Sequence, residues 1–288
     1  MNVCSRLACL LLLVLSLAPA LPTAAAAQTA DATAVDAIVQ EALKAWQVPG
    51  AAVAIVRGDE VIYLKGHGVR ELGKPDPVTP ETLFAIGSTT KAFTATAVGM
   101  LVDDGEMAWD DLVRKHVEFF HLADPLADAN VTLRDLLSHR TGFGLHELLW
   151  HGSPWGREEL IRRAGRLQLD RPFRSTWEYA NVTFLTAGYA VGLASKSSWE
   201  AFVQRRIFDP LGMNGANFST TVAENTTNRA TPHRKSTDGT IITIPWRNID
   251  NVGRPARSTP ARGTWRGGCA SSWGTGPLKR SGCSQLLL

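Results

Sequence analysis

Ser88-Thr89-Thr90-Lys91 and Tyr179-Ala180-Asn181 hold the residue types from which a nucleophilic site can be assembled. On a helix, a spacing of i, i+3 sets the Lys91 ammonium one turn above the Ser88 hydroxyl on the same face, within reach to take or relay its proton. The start of such a helix adds free backbone N–H groups and positive potential, which favour an ionised nucleophile and a developing oxyanion. Ser and Lys are common residues, so an S-x-x-K alone fits equally well an N-cap Ser followed by a solvated Lys. The second stretch supplies what the first lacks. A phenol beside a cation gives up its proton more readily and can serve as general base, and an Asn amide can hold both the Lys and a substrate carbonyl. The chain has only three Tyr, so a Y-x-N is not dictated by composition, although Tyr179 also fits a packed aromatic at a helix entry.

Two rival chemistries fare worse. His146-Glu147-Leu148-Leu149-Trp150-His151 approaches the zinc-protease pattern H-E-x-x-H, but its second His stands at i+5, which at 3.6 residues per turn rotates it off the face of the first. The other His residues (His67, His116, His121, His139 and His233) form no ligand spacing, so neither a metal nor a cofactor is expected. The G-x-S-x-G pentapeptide of a nucleophile elbow does not occur in the chain.

The elements that must position Ser88 and Tyr179 can be read from periodicity. Val35, Ile38, Val39, Ala42, Leu43 and Trp46 form an i, i+3, i+4, i+7 stripe, an amphipathic helix over residues 33–46 that Val48-Pro49-Gly50 stops. Residues 51–56 and 61–65 are β-rich runs around Arg57-Gly58-Asp59-Glu60, a hairpin signal, and Gly66 and Gly68 are expected to end the second strand. Residues 88–102 are apolar on almost every side, which predicts a buried central helix. Residues 133–138, 157–167, 182–195 and 199–208 read as further helices, the last closed by Asp209-Pro210-Leu211-Gly212. Helix, two strands, then mostly helices predicts an α+β fold, an antiparallel sheet joined to a helical lobe, and not alternating βαβ units.

Composition excludes other classes. With 288 residues, 44% hydrophobic and 20% charged, the chain is neither disordered nor disulfide-built, and it is long enough to bury about 70% of its unfolded surface. The net charge of +3 is unevenly placed: residues 251–288 carry six Lys and Arg and no acid, so the remainder is mildly acidic. A mildly acidic body gives no reason to expect a nucleic-acid partner. Arg6, an apolar run over residues 7–17 and the small residues 23–27 read as a secretory signal peptide, residues 1–27, cut near Ala27. That run is shorter than the roughly 20 residues a bilayer span requires, so the mature chain is expected to be exported, with no membrane span. The four Cys lie at positions 4, 9, 269 and 283, leaving a body without thiols that does not rely on disulfides.

Taken together, Ser88-x-x-Lys91 and Tyr179-x-Asn181 resemble the serine β-lactamase and penicillin-binding-protein superfamily, in its class C and D-Ala-D-Ala carboxypeptidase or esterase-like branch. Further blocks in family order carry the likeness over residues 33–253: Val48-Pro49-Gly50-Ala51, Gly66-His67-Gly68, Phe84-Ala85-Ile86-Gly87, Leu136-Leu137-Ser138-His139-Arg140-Thr141-Gly142 and Pro210-Leu211-Gly212-Met213. The resemblance implies an acyl-enzyme mechanism. Ser88 would attack a carbonyl, Lys91 and Tyr179 would manage the proton, Asn181 would orient a small-molecule or peptide substrate, and water would release the acyl group. His139 is then a structural member of its block.

The family's third motif, K-T-G or H-x-G on a strand after the Y-x-N, is not found after Asn181. One oxyanion donor is typically worth about 10² to 10³ in rate. The C-terminal strands that complete the family's sheet are also expected to be missing, which leaves the hairpin edge open. Regrouping codons one base out of frame from Arg254 permits a string resembling the family's next block. The sequence therefore predicts a β-lactamase-related domain over residues 28–253 and a frame-shifted, irregular basic tail over residues 254–288. Three functions follow as alternatives: an impaired serine hydrolase acting on a β-lactam, D-amino-acid peptide or small ester, a catalytically dead module binding peptidoglycan-like ligands, or a truncated product without function.

Overall fold

The computed structural model describes residues 31–250 and 256–258, so the predicted signal peptide and most of the predicted tail lie outside the described residues. Helix α1 (Ala32–Trp46) begins where the Asp31 side chain accepts hydrogen bonds from the Thr33 and Ala34 N–H groups, and ends at Gln47, whose left-handed backbone returns its N–H to the helix. The expected apolar stripe is present but does not face a core: no α1 residue is buried, and Ile38 and Trp46 are 66% and 80% exposed. Polar groups join α1 to the hairpin instead. Tyr63 and Lys65 donate to the Asp36 carboxylate at 2.5 and 2.6 Å, and Gln40 meets the buried His67 ring at 3.4 Å. The strand presents Tyr63, Lys65 and His67 to α1, and residues of that kind select hydrogen-bonding partners over apolar ones.

Strands β1 (Gly50–Arg57) and β2 (Glu60–Gly68) form the predicted antiparallel hairpin, with Gly50 opposite Gly68 and Arg57 opposite Glu60. The second strand runs through Gly66-His67-Gly68 where the sequence suggested that it stops. The glycines allow close approach there: a Cβ at Gly66 would collide with the Val78 carbonyl, and Gly68, at φ +68°, would place one against Pro49. Among the described residues the hairpin remains a two-stranded sheet.

The helical lobe holds the core. Helices α2 (Thr90–Asp103), α3 (Val113–His116), α4 (Pro125–Asn130), α5 (Leu133–Leu137), α6 (Glu147–Trp150), α7 (Arg157–Ala164), α8 (Asn181–Ala194), α9 (Trp199–Val203) and α10 (Thr220–Glu224) follow in order, with a π turn at Gln204–Phe208 completing the helix predicted over 199–208. Helix α8 is more deeply enclosed than α2. Ten of its residues are buried, and the small Gly188 and Gly192 let Trp199 and residues 197–198 approach its backbone. A fully buried Leu, Val or Phe contributes about 1.5–3 kcal/mol. Phe143, Phe202, Phe208, Leu133, Leu136 and Leu160 all lie in this lobe, whereas Tyr63 and His67 are the hairpin's buried side chains, so stability resides mainly in the helices.

Four short strands complete the described structure. Strands β4 (His233–Lys235) and β5 (Ile241–Thr243) make a small hairpin, and β3 (Leu83–Ala85) pairs antiparallel with β6 (Ala256–Ser258). The sequence placed 256–258 in an irregular tail. Ladder hydrogen bonds use main-chain groups alone, so three residues without alternating side chains can still pair with an open edge such as that of β3. The α+β class, with a small antiparallel sheet beside a helical lobe, is as the sequence indicated.

Candidate active site

The chain reaches the site through β3 and a 3-10 turn at Gly87–Thr89, which leads into α2. Helix α2 thus starts two residues later than expected, and its N-cap position belongs to Thr89, not Ser88. That disposes of the capping role for Ser88. Its exposed hydroxyl lies 2.5 Å from the Tyr179 hydroxyl and accepts a hydrogen bond from Lys91 Nζ at 3.3 Å. Lys91 Nζ also donates to the Tyr179 oxygen at 2.5 Å and to Asn181 Oδ1 at 2.9 Å. The four residues singled out from the sequence, ninety positions apart in two pairs, therefore meet around one ammonium group. The Tyr179 ring, 4.5 Å from Nζ, and the Phe184 ring, at 5.4 Å, add their faces to the cation's surroundings.

The arrangement can move a proton. With Ser88 donating to an ionised Tyr179, the phenolate oxygen could take the serine proton as the hydroxyl attacks, with Lys91 donating to that same oxygen. A shallow pocket open to solvent adjoins the nucleophile and is lined by Ser88, Lys91, Asn181, Phe184, Tyr189 and Trp199.

Tyr179 lies just before α8, in a segment without regular hydrogen bonding of its own, so something else must hold it. Residues 139–142 do so. The Gly142 carbonyl accepts from the Asp170 and Arg171 N–H groups, the Arg140 carbonyl from the Arg174 N–H, and the His139 carbonyl from the Glu178 N–H at 2.7 Å. The His139 side chain completes the clamp, its Nδ1 accepting from the Ala180 N–H at 3.2 Å while its ring packs 4.7 Å from that of Tyr179. His139 therefore brackets the tyrosine from both sides in sequence.

Behind the clamp stands Asp135, which is fully buried. It closes the capping box of α5 with Thr132 and receives the Arg140 and Arg174 guanidinium groups. Burial by itself would raise its pKa. The hydrogen bonds from Arg174, Thr132 and Arg140 prevail and hold it below the ordinary carboxylate value. Sequence reasoning missed Asp135, Arg140 and Arg174 as site supports. The T-x-x-D capping box at Thr132–Asp135 was the available signal, but nothing local linked it to Arg174, 39 residues on.

Burial first, and the Lys91 ammonium second, push the His139 pKa down to about 4 from 6.5. The ring is therefore neutral at pH 7, with Nδ1 free of its proton to accept from Ala180. Because the folded value is depressed, this contribution to stability is complete above about pH 6.5 and is lost progressively as pH falls toward 4. The full loss is about 3 kcal/mol. His139→Asn should flatten that slope. Asn tolerates the left-handed backbone found at His139 (φ 56°) and can still accept a hydrogen bond, but it does not titrate. Urea unfolding at pH 7 and pH 4.5 measures the difference, and equal pH dependence in the two proteins would refute the assignment.

The zinc-like stretch does not converge. His146 faces Asp170 at 3.5 Å and His151 faces Arg247 at 3.2 Å, and no cluster of metal-binding side chains occurs among the described residues. No helix among the described residues is long and apolar enough to cross a membrane.

Comparison with known proteins gives the family of the chain. The family model described as Beta-lactamase matches residues 35–271, past the domain boundary at 253 that the sequence suggested. An unguisins hydrolase of Aspergillus campestris is 35% identical over 192 residues, 63% of this chain and 35% of its own length. Protein flp of Staphylococcus aureus is 26% identical over 191 residues, 65% of this chain and 38% of its own. The chain thus spans little more than a third of the curated relatives it matches. Among solved structures, an octameric penicillin-binding protein homologue from Pyrococcus abyssi superimposes with a TM-score of 0.64 at 27% identity, over 80% of this chain and 54% of that one. A class C beta-lactamase shares the fold at a TM-score of 0.65 and 19% identity, over 81% of this chain and 62% of the other. With the family model covering most of its length and the fold matched by these structures, the chain belongs to the beta-lactamase family.

Proposed function

We propose that the protein is an exported serine hydrolase that cleaves an amide or ester through an acyl-Ser88 intermediate. The observation that carries this reading is the position of Lys91 Nζ, within hydrogen-bonding distance of Ser88 Oγ, the Tyr179 hydroxyl and Asn181 Oδ1 at once. Ser88 Oγ adds to the substrate carbonyl as its proton passes to the Tyr179 oxygen. The Ser88 N–H, in the 3-10 turn that leads into α2, stabilises the oxyanion. The tetrahedral adduct collapses to the acyl-enzyme as the leaving group takes the proton back from Tyr179, and water then repeats the cycle from the other side. Lys91 stays protonated throughout, stabilising the phenol oxygen whenever it is ionised. Asn181 holds Lys91 in place and offers its amide N–H to the substrate carbonyl.

Acylation isolates the attack of Ser88 from the later steps, so it is a better readout than hydrolysis. Incubation with a fluorescent penicillin and a fluorophosphonate, followed by peptide mass mapping, should place the adduct on the peptide containing Ser88. A folded protein that neither probe labels would sink the proposal. We also hold that residues 254–288 are read out of frame. The gene sequence from the codon for Asn251 tests this, and an early stop in the alternate frame, or no downstream H-x-G or K-T-G there, would overturn it.

A further inference from the structure

The pocket beside Ser88 extends past the proton-handling residues. Ser88, Lys91 and Thr94 line it at steps of three along one segment, and Asn181, Leu185 and Gly188 line it at steps of four and three along α8. Residues so spaced share a helix face, so the pocket runs as a groove between α2 and α8, starting where both helices begin. At about 1.5 Å per residue, Thr94 lies about 9 Å from Ser88 along the axis of α2, and Gly188 about 10 Å from Asn181 along α8.

The distal end of this groove holds polar groups that the chain does not satisfy. Thr94 is 5% exposed, and its hydroxyl has no hydrogen-bond partner among the described residues. Other buried threonines of these helices are paired: Thr90 donates to the Gly87 carbonyl at 2.7 Å, and Thr183 and Thr186 donate to the Ala180 and Val182 carbonyls at 2.9 Å each. Trp199, the first residue of α9, is 4% exposed, and its Nε1 is buried without a partner among the described residues. A Cβ at Gly188 would stand 3.3 Å from Trp199 Cδ1 and 3.8 Å from Nε1, so the glycine leaves the N–H edge of the indole beside the groove. Arg157, at the start of α7, lines the same groove and is paired with Glu200, the residue after Trp199. Buried polar groups without partners are costly, and in native proteins they point to a ligand or an ordered water. Helices α2, α7, α8 and α9 all contribute to the buried core, which fixes the position of these groups.

We propose that the distal end of the groove is a subsite for a neutral carbonyl oxygen on the acyl part of the substrate, with Thr94 as its hydrogen-bond donor, a specificity that rests on Ser88 being the acylated residue and narrows what it accepts. An extended acyl chain attached to Ser88 and laid along α2 passes Phe184 and Leu185 with an apolar stem and reaches Thr94 after about eight bonds. A hydroxyl, an indole N–H and a guanidinium line that end, and donors of this kind select an acceptor. The acceptor is neutral because the Glu200 carboxylate already balances Arg157. The substrate class is therefore an ester or amide of a medium-length acyl chain that carries a ketone or amide carbonyl near its far end.

Three p-nitrophenyl esters of straight-chain acids serve as probes: one plain, one with a ketone about eight bonds from the ester carbonyl, and one ending in a carboxylate at that point. The burst of p-nitrophenol reports acylation. The ketone ester is expected to acylate Ser88 about tenfold faster than the plain ester, and the carboxylate ester no faster than the plain one. Thr94→Val should bring the ratio of ketone to plain rates close to one, and Thr94→Ser, which keeps the hydroxyl, should retain it. The ratio is taken within each protein, so a general loss of activity on substitution cancels. Urea unfolding should show Thr94→Val no less stable than wild type, because the hydroxyl it loses has no partner to leave behind. Equal rates with the ketone and plain esters in wild type, as a groove that holds only ordered water would give, overturn the subsite and leave the nucleophile standing. An undiminished ratio in Thr94→Val, or a carboxylate ester faster than the ketone, does the same. No burst with any of the three, or a burst that survives in Ser88→Ala, overturns the acyl-Ser88 reading and the subsite with it.

Discussion

The Ser88→Ala variant is expected to take up neither probe, a loss of about 10⁶ in acylation rate if Ser88 is the nucleophile of a concerted group. Its folding should be unchanged, because the hydroxyl is exposed and caps no helix. The proton-handling residues should give graded results. Lys91→Met removes the cation that binds Ser88, Tyr179 and Asn181, and Tyr179→Phe removes the oxygen that receives the proton. Each is expected to slow labelling by about 10² to 10⁴. The losses should not add in the double variant, since the two act on one proton. Labelling of Ser88→Ala at a different serine would show that the probe reads surface reactivity, and full-rate labelling of Lys91→Met would remove Lys91 from the mechanism.

Asp135→Ala is expected to be the most damaging substitution for the fold. Removing one partner from a buried ion-pair network costs about 3–5 kcal/mol. The lower end applies here, because the Arg140 and Arg174 side chains are 39% and 42% exposed and can rehydrate. What cannot be replaced is the capping of α5: the Thr132 N–H and hydroxyl both donate to Asp135 Oδ2 inside the core. Urea titration at pH 7 measures the loss. The same variant should also slow acylation of Ser88, since Arg140 and Arg174 lie in the two segments whose backbone bonds hold Tyr179. Asp135→Asn keeps the shape and one acceptor oxygen, and should recover part of both effects. Asp135→Ala with wild-type stability would show that the network is ornamental.

Much of the site was legible because its chemistry is local in sequence. Ser88 and Lys91 lie one helical turn apart, and Tyr179 and Asn181 flank the N-cap of a helix, so each pair could be recognised by type and spacing. The supports were not legible. The His139 bonds to Glu178 and Ala180, and the Asp135 bonds to Arg140 and Arg174, join segments that share no periodicity. In the fold, helices 157–164 and 181–194 were readable from apolar spacing, whereas the direction of the α1 stripe was not. A hydrophobic face indicates that a helix has an apolar side, but not that a partner stands opposite it.

By itself, the sequence determined the helical lobe, the β1–β2 hairpin, the family blocks and the identity of the four polar residues, because these rest on residue type and short-range spacing. Only the tertiary structure decided that Ser88 caps no helix, that His139 acts as a neutral clamp with a depressed pKa, and that Asp135 gathers Arg140 and Arg174 behind it. Each of those depends on which main-chain and side-chain groups find partners far away in the chain. Hydrogen-bond satisfaction and desolvation are properties of the packed molecule, not of any stretch of it.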